Sequence, residues 1–368
     1  MTRLVFQKLL IVLVLFNSCV EKIEFDLDRL DRERLIVSGT LTDLAETQFV
    51  YLSQTTSNAR QPFLEDGDKG LFTLNDLPRP VSRARVRLHS RELGLSWEYR
   101  ETKPGTYELS GFLPPRPGLE YELEIWVQEK VYRSQPQRMP EVVGEDQLSF
   151  SFERARLENN PEAALIAIAT EVTLPNQTGG YYLRWTVEEV YFWDLTFFPN
   201  PFNTPPPPCY VTEISDAARI TLVNGDLLNR PGAVSSQILA KRLVDQSFLS
   251  RHYFNVKQLS ITKDAHDYWR KVRQLVNNTG SVFDIPPAPI RGNMYHVDDP
   301  EEVVLGYFEV AKAKITRIYT TRADVPFFLE EVCEYVPGKR ATEYKPTCLS
   351  CNVFPNSTSQ QPEWWFDQ

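Results

Sequence analysis

Histidine, the side chain most used for metal binding and for acid–base work near neutral pH, is scarce in this 368-residue chain. Its four histidines, His89, His252, His266 and His296, are scattered, and no His-Glu-x-x-His zinc motif is formed. The Gly-x-Ser-x-Gly elbow, the phosphate-cradling glycine loop and the dinucleotide-binding glycine fingerprint are missing too. Carboxylates are plentiful, but no fold-specific motif marks out a glycosidase pair. These absences exclude the commonest hydrolase and nucleotide-binding designs, so no catalytic residue, metal ligand or cofactor is assigned and a non-enzymatic protein is expected.

Positive charge is also short: 40 Lys and Arg face 49 Asp and Glu, a formal net charge of -9. Such a surface does not bind nucleic acid non-specifically and is not drawn to anionic lipid. Glycine, at 16 residues, is outnumbered by 27 prolines spread along the whole chain. Proline interrupts helices and central strands alike, which favours short strands joined by ordered loops. Beyond the N-terminus no apolar run approaches the roughly 20 residues that a membrane-crossing helix needs. Repeats of solenoid or propeller length are absent.

What is present starts at the N-terminus. Arg3 and Lys8 give a positive flank, Leu9 to Phe16 form an uninterrupted apolar core, and small Ser18 precedes Cys19. This is the layout of a lipoprotein signal over residues 1–18, with Cys19 as the lipidated residue after cleavage. Two or three acyl chains would then hold the protein on a membrane where one would be marginal. An ordinary secretory signal is the competing reading. Residues 19–33, rich in Glu, Asp and Arg and without a strong period, read as a tether.

An exported chain meets an oxidising compartment, and the four remaining cysteines, Cys209, Cys333, Cys348 and Cys351, are an even number. Two disulfides are expected, with three connectivities open. The Cys348-x-x-Cys351 spacing would also suit a redox pair or half of a zinc site. It sits, however, in a Pro/Ser/Thr-rich tail, with no second pair at matching spacing.

The fold expected is mainly β. Over residues 34–143, strand-like runs recur: Leu35 to Leu41, Phe49 to Ser53, the strictly alternating Ala84 to His89, Trp97 to Arg100, and two Pro-Gly turns feeding Thr106 to Leu109 and Leu119 to Val127. That spacing predicts an immunoglobulin-like antiparallel β-sandwich, without the Cys-Trp-Cys signature that would fix its subtype. The polar insertion between Gln54 and Arg79 contains Asp66-Gly67-Asp68, which lacks the further ligands of a calcium loop and reads as a surface hairpin.

Residues 144–368 read as a β-rich C-terminal domain. Leu165 to Ala169 and Tyr181 to Phe192 form long strands, and large side chains on both faces of the latter place it centrally. An unusual loop follows, with Trp193, Phe197, Phe198 and Phe202 ahead of four prolines, Cys209 and Tyr210. Aromatics on a proline-stiffened turn make either a binding platform or a loop packed over the sheet and stapled by Cys209. One amphipathic helix is expected near 263–278, with Ala265, Tyr268, Trp269, Val272, Leu275 and Val276 on its packed face and His266 solvated or capped. Prolines then stiffen a crossing from Phe283 to Asn293 that delivers the chain to a strand from Val303 to Ala311. The intervening acidic run (His296, Asp298, Asp299, Glu301 and Glu302) reads as a solvated loop before it is a metal site. Lys314 to Thr321 reads as a separate last strand, and Trp364, Trp365 and Phe366 as an anchor for the terminus.

Several of these segments together resemble a known family. Leu35-Ile36-Val37-Ser38-Gly39-Thr40-Leu41, Gly180 to Trp185, Phe283 to Asn293 and Val304-Leu305-Gly306-Tyr307-Phe308 are similar to a Bacteroidota lipoprotein family catalogued as domain of unknown function 4249. That resemblance brings no catalytic residues. It implies an outer-membrane lipoprotein, commonly encoded near TonB-dependent receptors, and hence a ligand-binding or accessory component of nutrient uptake whose ligand, small molecule or peptide, is not specified. A structural or assembly factor of the envelope is the alternative. Glu21 and Glu24, close behind Cys19, resemble a surface-export signal and favour the cell surface over the periplasmic face.

Overall fold

Alternation builds the first part of the structure. In Leu35-Ile36-Val37-Ser38-Gly39-Thr40-Leu41, the side chains of Leu35, Val37 and Leu41 turn inward and Ser38 outward, because successive residues of a strand face opposite ways. The same rule buries Val86 and Leu88 while Arg85 and Arg87 stay outside, over the ring of Trp126.

A computed structural model describes residues 33–55, 78–109, 115–157, 160–174, 181–199, 204–216, 219–228, 232–277 and 289–366. Cys19 with its signal and nearly all of the tether, the Asp66-Gly67-Asp68 insertion, Phe202, and Phe283 to Ala288 lie outside the described residues. Contacts divide the chain into two units, 1–34 with 55–79 and 35–54 with 80–368. The second carries the fold.

Its strands up to residue 138 are β1 (Leu35–Thr42), β2 (Gln48–Gln54), β3 (Arg79–Pro80), β4 (Arg85–Ser90), β5 (Leu95–Lys103), β6 (Thr106–Leu109), β7 (Glu120–Val127), β8 (Lys130–Ser134) and β9 (Gln137–Arg138). Next come β10 (Glu145–Leu157), β11 (Asn160–Thr173), β12 (Tyr182–Phe192), β13 (Tyr210–Ile214), β14 (Thr221–Asn224), β15 (Val234–Leu243) and β16 (His252–Ile261). The helix α1 (Lys263–Asn277) precedes β17 (Met294–His296), β18 (Leu305–Thr320), the single turn α2 (Pro346–Leu349) and β19 (Ser357–Thr358). One hydrogen-bonded path runs β17-β8-β7-β4-β5-β6-β2-β1-β18-β16-β12-β13-β19, and β10-β11-β15 form a separate sheet.

The path folds over on itself because β5 serves two sheets. Its first half pairs with β4 and its second half with β6. The result is a mainly β fold with an N-terminal sandwich, as the sequence predicts. Its core holds Val37, Leu52, Leu88, Leu123 and Ile125, with Tyr107 and Tyr121 fully buried. Burying each such aliphatic side chain contributes roughly 1.5–3 kcal/mol. The Tyr107 hydroxyl donates to the Val81 carbonyl at 2.8 Å and accepts from the Ala84 amide at 2.9 Å, so its burial leaves no polar group wanting.

The β-rich remainder is layered. Along β12, Leu183, Trp185 and Val187 face the β10-β11-β15 sheet, while Tyr182 and Arg184 face α1. Strand β12 is central, with β16 on one edge and β13 and β14 on the other. Helix α1 begins where the Thr262 hydroxyl accepts from the Ala265 amide, a side-chain cap.

Three expectations are corrected here. The strands expected at Val303 to Ala311 and Lys314 to Thr321 are one 16-residue strand, β18. Lys312 and Lys314 do not interrupt it because their ammonium groups reach out to the Glu141 carbonyl and the Glu145 carboxylate. His266 is buried against the ring of Tyr182 rather than solvated. Leu275 and Val276, expected on the packed face of α1, are 37% and 47% exposed, because the last turn of the helix overruns the sheet.

The acidic run is not simply solvated either. The His296 Nδ1 accepts from the Asp299 amide at 2.7 Å, and Glu302 accepts from Lys130 at 2.6 Å and Tyr132 at 2.7 Å. Among the described residues, no three His, Cys, Asp or Glu side chains converge as for a metal ion.

Strand β18 joins the two cores. Residues 305–311 pair in parallel with β1, and residues 312–320 pair with β16. The entry to this strand is tightly fixed. Gly306 has φ of 84°, and a Cβ there would overlap the Val37 carbonyl oxygen. Gly292 packs against it, since a Cβ at 292 would overlap the Gly306 carbonyl. Asn293 then copies a strand neighbour: its amide donates to the Phe308 carbonyl at 2.8 Å and accepts from the Phe308 amide at 2.9 Å. Gly306→Ala is expected to cost about 2 kcal/mol or more, seen as an earlier urea midpoint with both cores lost together; an unchanged midpoint would contradict this geometry.

Candidate functional site

The aromatic loop is a strap that packs inward. Trp193 donates from its indole to the Thr347 carbonyl at 2.9 Å and lies edge-on to Phe354. Phe198 sits between Tyr335 and Tyr344, with ring centroids at 5.8 and 5.4 Å. Tyr210, on β13, is buried against Trp365 and donates to Gln361 at 2.9 Å. Phe197 alone of the described members is exposed, at 38%. Of the two readings of this loop, the packed one describes Trp193, Phe198 and Tyr210.

Disulfides fasten the strap. Cys209 bonds Cys351 across 142 residues of sequence, and Cys333 bonds Cys348 across 15. Each half of the Cys348-x-x-Cys351 spacing is thus tied to a different, distant cysteine, which removes the redox and zinc readings. In the chain-entropy account, closing loops of these lengths contributes about 5 and about 3 kcal/mol. Of the expected anchor, Trp365 docks the terminus: it is buried, and its carbonyl accepts from Tyr253 and from Arg251, whereas Phe366 stays 65% exposed.

Groups with acid–base chemistry are engaged with one another. Behind α1, Arg184 donates to Glu309 at 2.6 Å, lies 4.3 Å over the Trp269 ring, and shares Glu309 with the Trp269 indole at 2.7 Å. Between β12 and β16, Glu189 accepts from His252 at 2.9 Å and from Arg242, while the His252 ring stacks between Tyr191 and Phe248. Burial alone would raise the Glu189 pKa, but His252 and Arg242 outweigh it and carry it below its ordinary value. Burial pushes the His252 imidazole below its ordinary value; its Nδ1 lies 3.3 Å from the Ser247 carbonyl and its Nε2 2.9 Å from Glu189. Asp146 accepts from Thr170, Trp185 and Gln258, and burial raises its pKa in spite of them.

A groove of about 550 Å³ lies between the end of α1, Asp216 with Arg219 to Leu222, and the edge of β15. Its walls mix apolar Ile220, Leu222, Ile238 and Val276 with polar Thr221, Ser236, Gln237 and Asn277. Two cations reach it. Arg219 is held by Asp216 at 2.7 Å, whereas Arg273 has no ion pair among the described residues. The groove exists because α1 overruns its sheet, leaving Val276 facing the β15 edge. The apolar stripe continuing to Leu275 and Val276 was the sequence signal for it, read instead as a longer packed face. Arg273, Ser236 and Ile238 carried no signal at all, since strand edges and unpaired cations are not local properties.

The Glu189 cluster gives a test with a definite pH sign. Because Glu189 is depressed in the folded state, its contribution is complete above the ordinary value of 4.5 and is lost as the pH falls through the depressed one. Glu189→Gln leaves Arg242 with a weakened partner and is expected to cost about 3 kcal/mol at neutral pH. That deficit should shrink below pH 4.5 in denaturation curves, and a deficit independent of pH would contradict the cluster.

A search of curated proteins gives no match to this chain. A family model described as Domain of unknown function (DUF4249) matches residues 20–317. The match takes in both cores, α1 and the groove, and stops short of Cys333, Cys348 and Cys351. With well over half of its length matched, the chain belongs to the DUF4249 family.

Proposed function

We propose that the chain is an exported, lipid-anchored binding protein of the outer membrane, without catalytic activity, serving as an accessory of TonB-dependent nutrient uptake. One observation carries binding over catalysis: the buried acids and His252 satisfy each other inside the fold, while Arg273 stands unpaired at an open groove. Two disulfides support an oxidising compartment. Arg3, Lys8, the Leu9 to Phe16 run and Ser18 before Cys19 support lipid attachment, and Glu21 and Glu24 favour the cell surface. The link to a TonB-dependent receptor rests on the family resemblance.

A second reading, a structural or assembly factor of the envelope, is favoured by apolar side chains left on the surface. Phe328, Leu227 and Ile214 are 89%, 78% and 72% exposed. Cys19→Ala is expected to be exported but to move from the membrane to the soluble envelope fraction; retention in washed membranes would contradict the anchor. Crosslinking of the intact protein in cells should capture a TonB-dependent receptor. Capture of assembly machinery, with uptake unchanged on deletion, would support the second reading instead.

A further inference from the structure

The edge of β15 that faces the groove is a strand without a neighbour. Its other edge pairs with β11, and among the described residues no strand pairs with the groove side. Two observations fix which backbone groups point outward. The Ala233 carbonyl accepts from the Leu174 amide, on the β11 side. The Ile238 carbonyl instead accepts from the Thr221 hydroxyl, on the groove side, at 3.4 Å. In an antiparallel strand the amide and carbonyl of one residue point the same way and alternate along the chain. Val234, Ser236 and Ile238 therefore present their backbone polar groups to the groove, and the ladder with β11 uses Ser235 and Gln237.

Unpaired strand edges are templates for another extended chain. Here the edge comes with a lining that discriminates. Ile220, Ile238 and Val276 offer apolar contacts on the groove walls, and Arg273 adds an uncompensated positive charge. Its neighbours on α1 strengthen that sign: Lys271 is exposed and without an ion pair among the described residues, and Arg270 is only loosely matched by Asp267 at 3.4 Å. Within a chain of net charge -9, this is a local positive field.

We propose that this groove binds an extended polypeptide segment of alternating apolar and acidic residues, added as a strand beside Val234 to Ile238 with a carboxylate against Arg273. Backbone hydrogen bonds to Ser236 supply affinity that is independent of sequence. Apolar side chains meet Ile220 and Val276 and a carboxylate meets Arg273, which supplies the selectivity. The proposal deepens the binding-protein reading and rests on it. A peptide titration involves neither Cys19 nor a receptor, so failure of the groove leaves the envelope reading standing, and failure of the envelope reading leaves a peptide-binding groove.

The test uses the full chain in detergent and a fluorescein-labelled peptide of about eight residues, long enough to span the strand at roughly 3.3 Å per residue, alternating valine and glutamate. Saturable binding by fluorescence anisotropy is expected. It should weaken about tenfold or more with lysine in place of glutamate, and likewise with N-methyl groups on alternate backbone nitrogens. Arg273→Glu, at the half-buried groove wall of α1, and Ser236→Pro, which removes an outward amide and no ladder bond, should each weaken it similarly. Should Ser236→Pro fail to fold, Arg273→Glu and the N-methylated peptide decide the question alone. Absence of binding, equal binding of the lysine or N-methylated peptide, or equal binding by free glutamate would overturn the proposal.

Discussion

The constraint on which the unit of residues 35–54 and 80–368 depends is the shared strand β18. Its first half closes the sandwich beside β1, and its second half lies in the sheet that supports the helix and the groove. Parallel pairing between the first strand and one near the end of the chain closes a long loop, which makes it intrinsically slow to form. Gly306, Gly292 and Asn293 set its register. A side chain at either glycine would collide with a backbone carbonyl, and the Asn293 amide completes the ladder at Phe308. Three sequence segments that carry the family resemblance, at Leu35 to Leu41, around Asn293 and at Gly306 to Phe308, thus meet at one place in space.

From that junction the distribution of polar chemistry follows. Glu309 lies on β18 and is fully enclosed, so it needs Arg184 and the Trp269 indole, and those partners fix the helix on the sheet. The helix is longer than the sheet beneath it, and its surplus turn makes the groove wall. The pairing of a buried acid and the open groove thus share one helix. The disulfide-bound strap closes the opposite opportunity, since its aromatic rings are spent on Phe354, Tyr335, Tyr344 and Trp365.

Local features were legible in the sequence. Alternation located Val86 and Leu88 inside and the arginines outside, the double-faced pattern of Tyr181 to Phe192 placed that strand centrally, and the apolar stripe found the helix. Long-range features were not. Nothing near Cys209 says that its partner is Cys351, and nothing near Lys312 says that the strand continues through it on the strength of the Glu141 carbonyl. The aromatic loop was ambiguous for the same reason, because whether Trp193 and Phe198 face solvent depends on a segment more than a hundred residues later. The groove was least legible, being defined by a strand edge and by an arginine that finds no acid.

The functional account stands on the claim that the groove side of β15 is an open edge. Amide hydrogen exchange followed residue by residue tests this directly. The account predicts alternating protection along the strand, with Ser235 and Gln237 slow because they bond to β11, and Val234 and Ser236 fast because they face the groove. Uniform slow exchange from Val234 to Ile238 would show that the edge is already covered, and would contradict it.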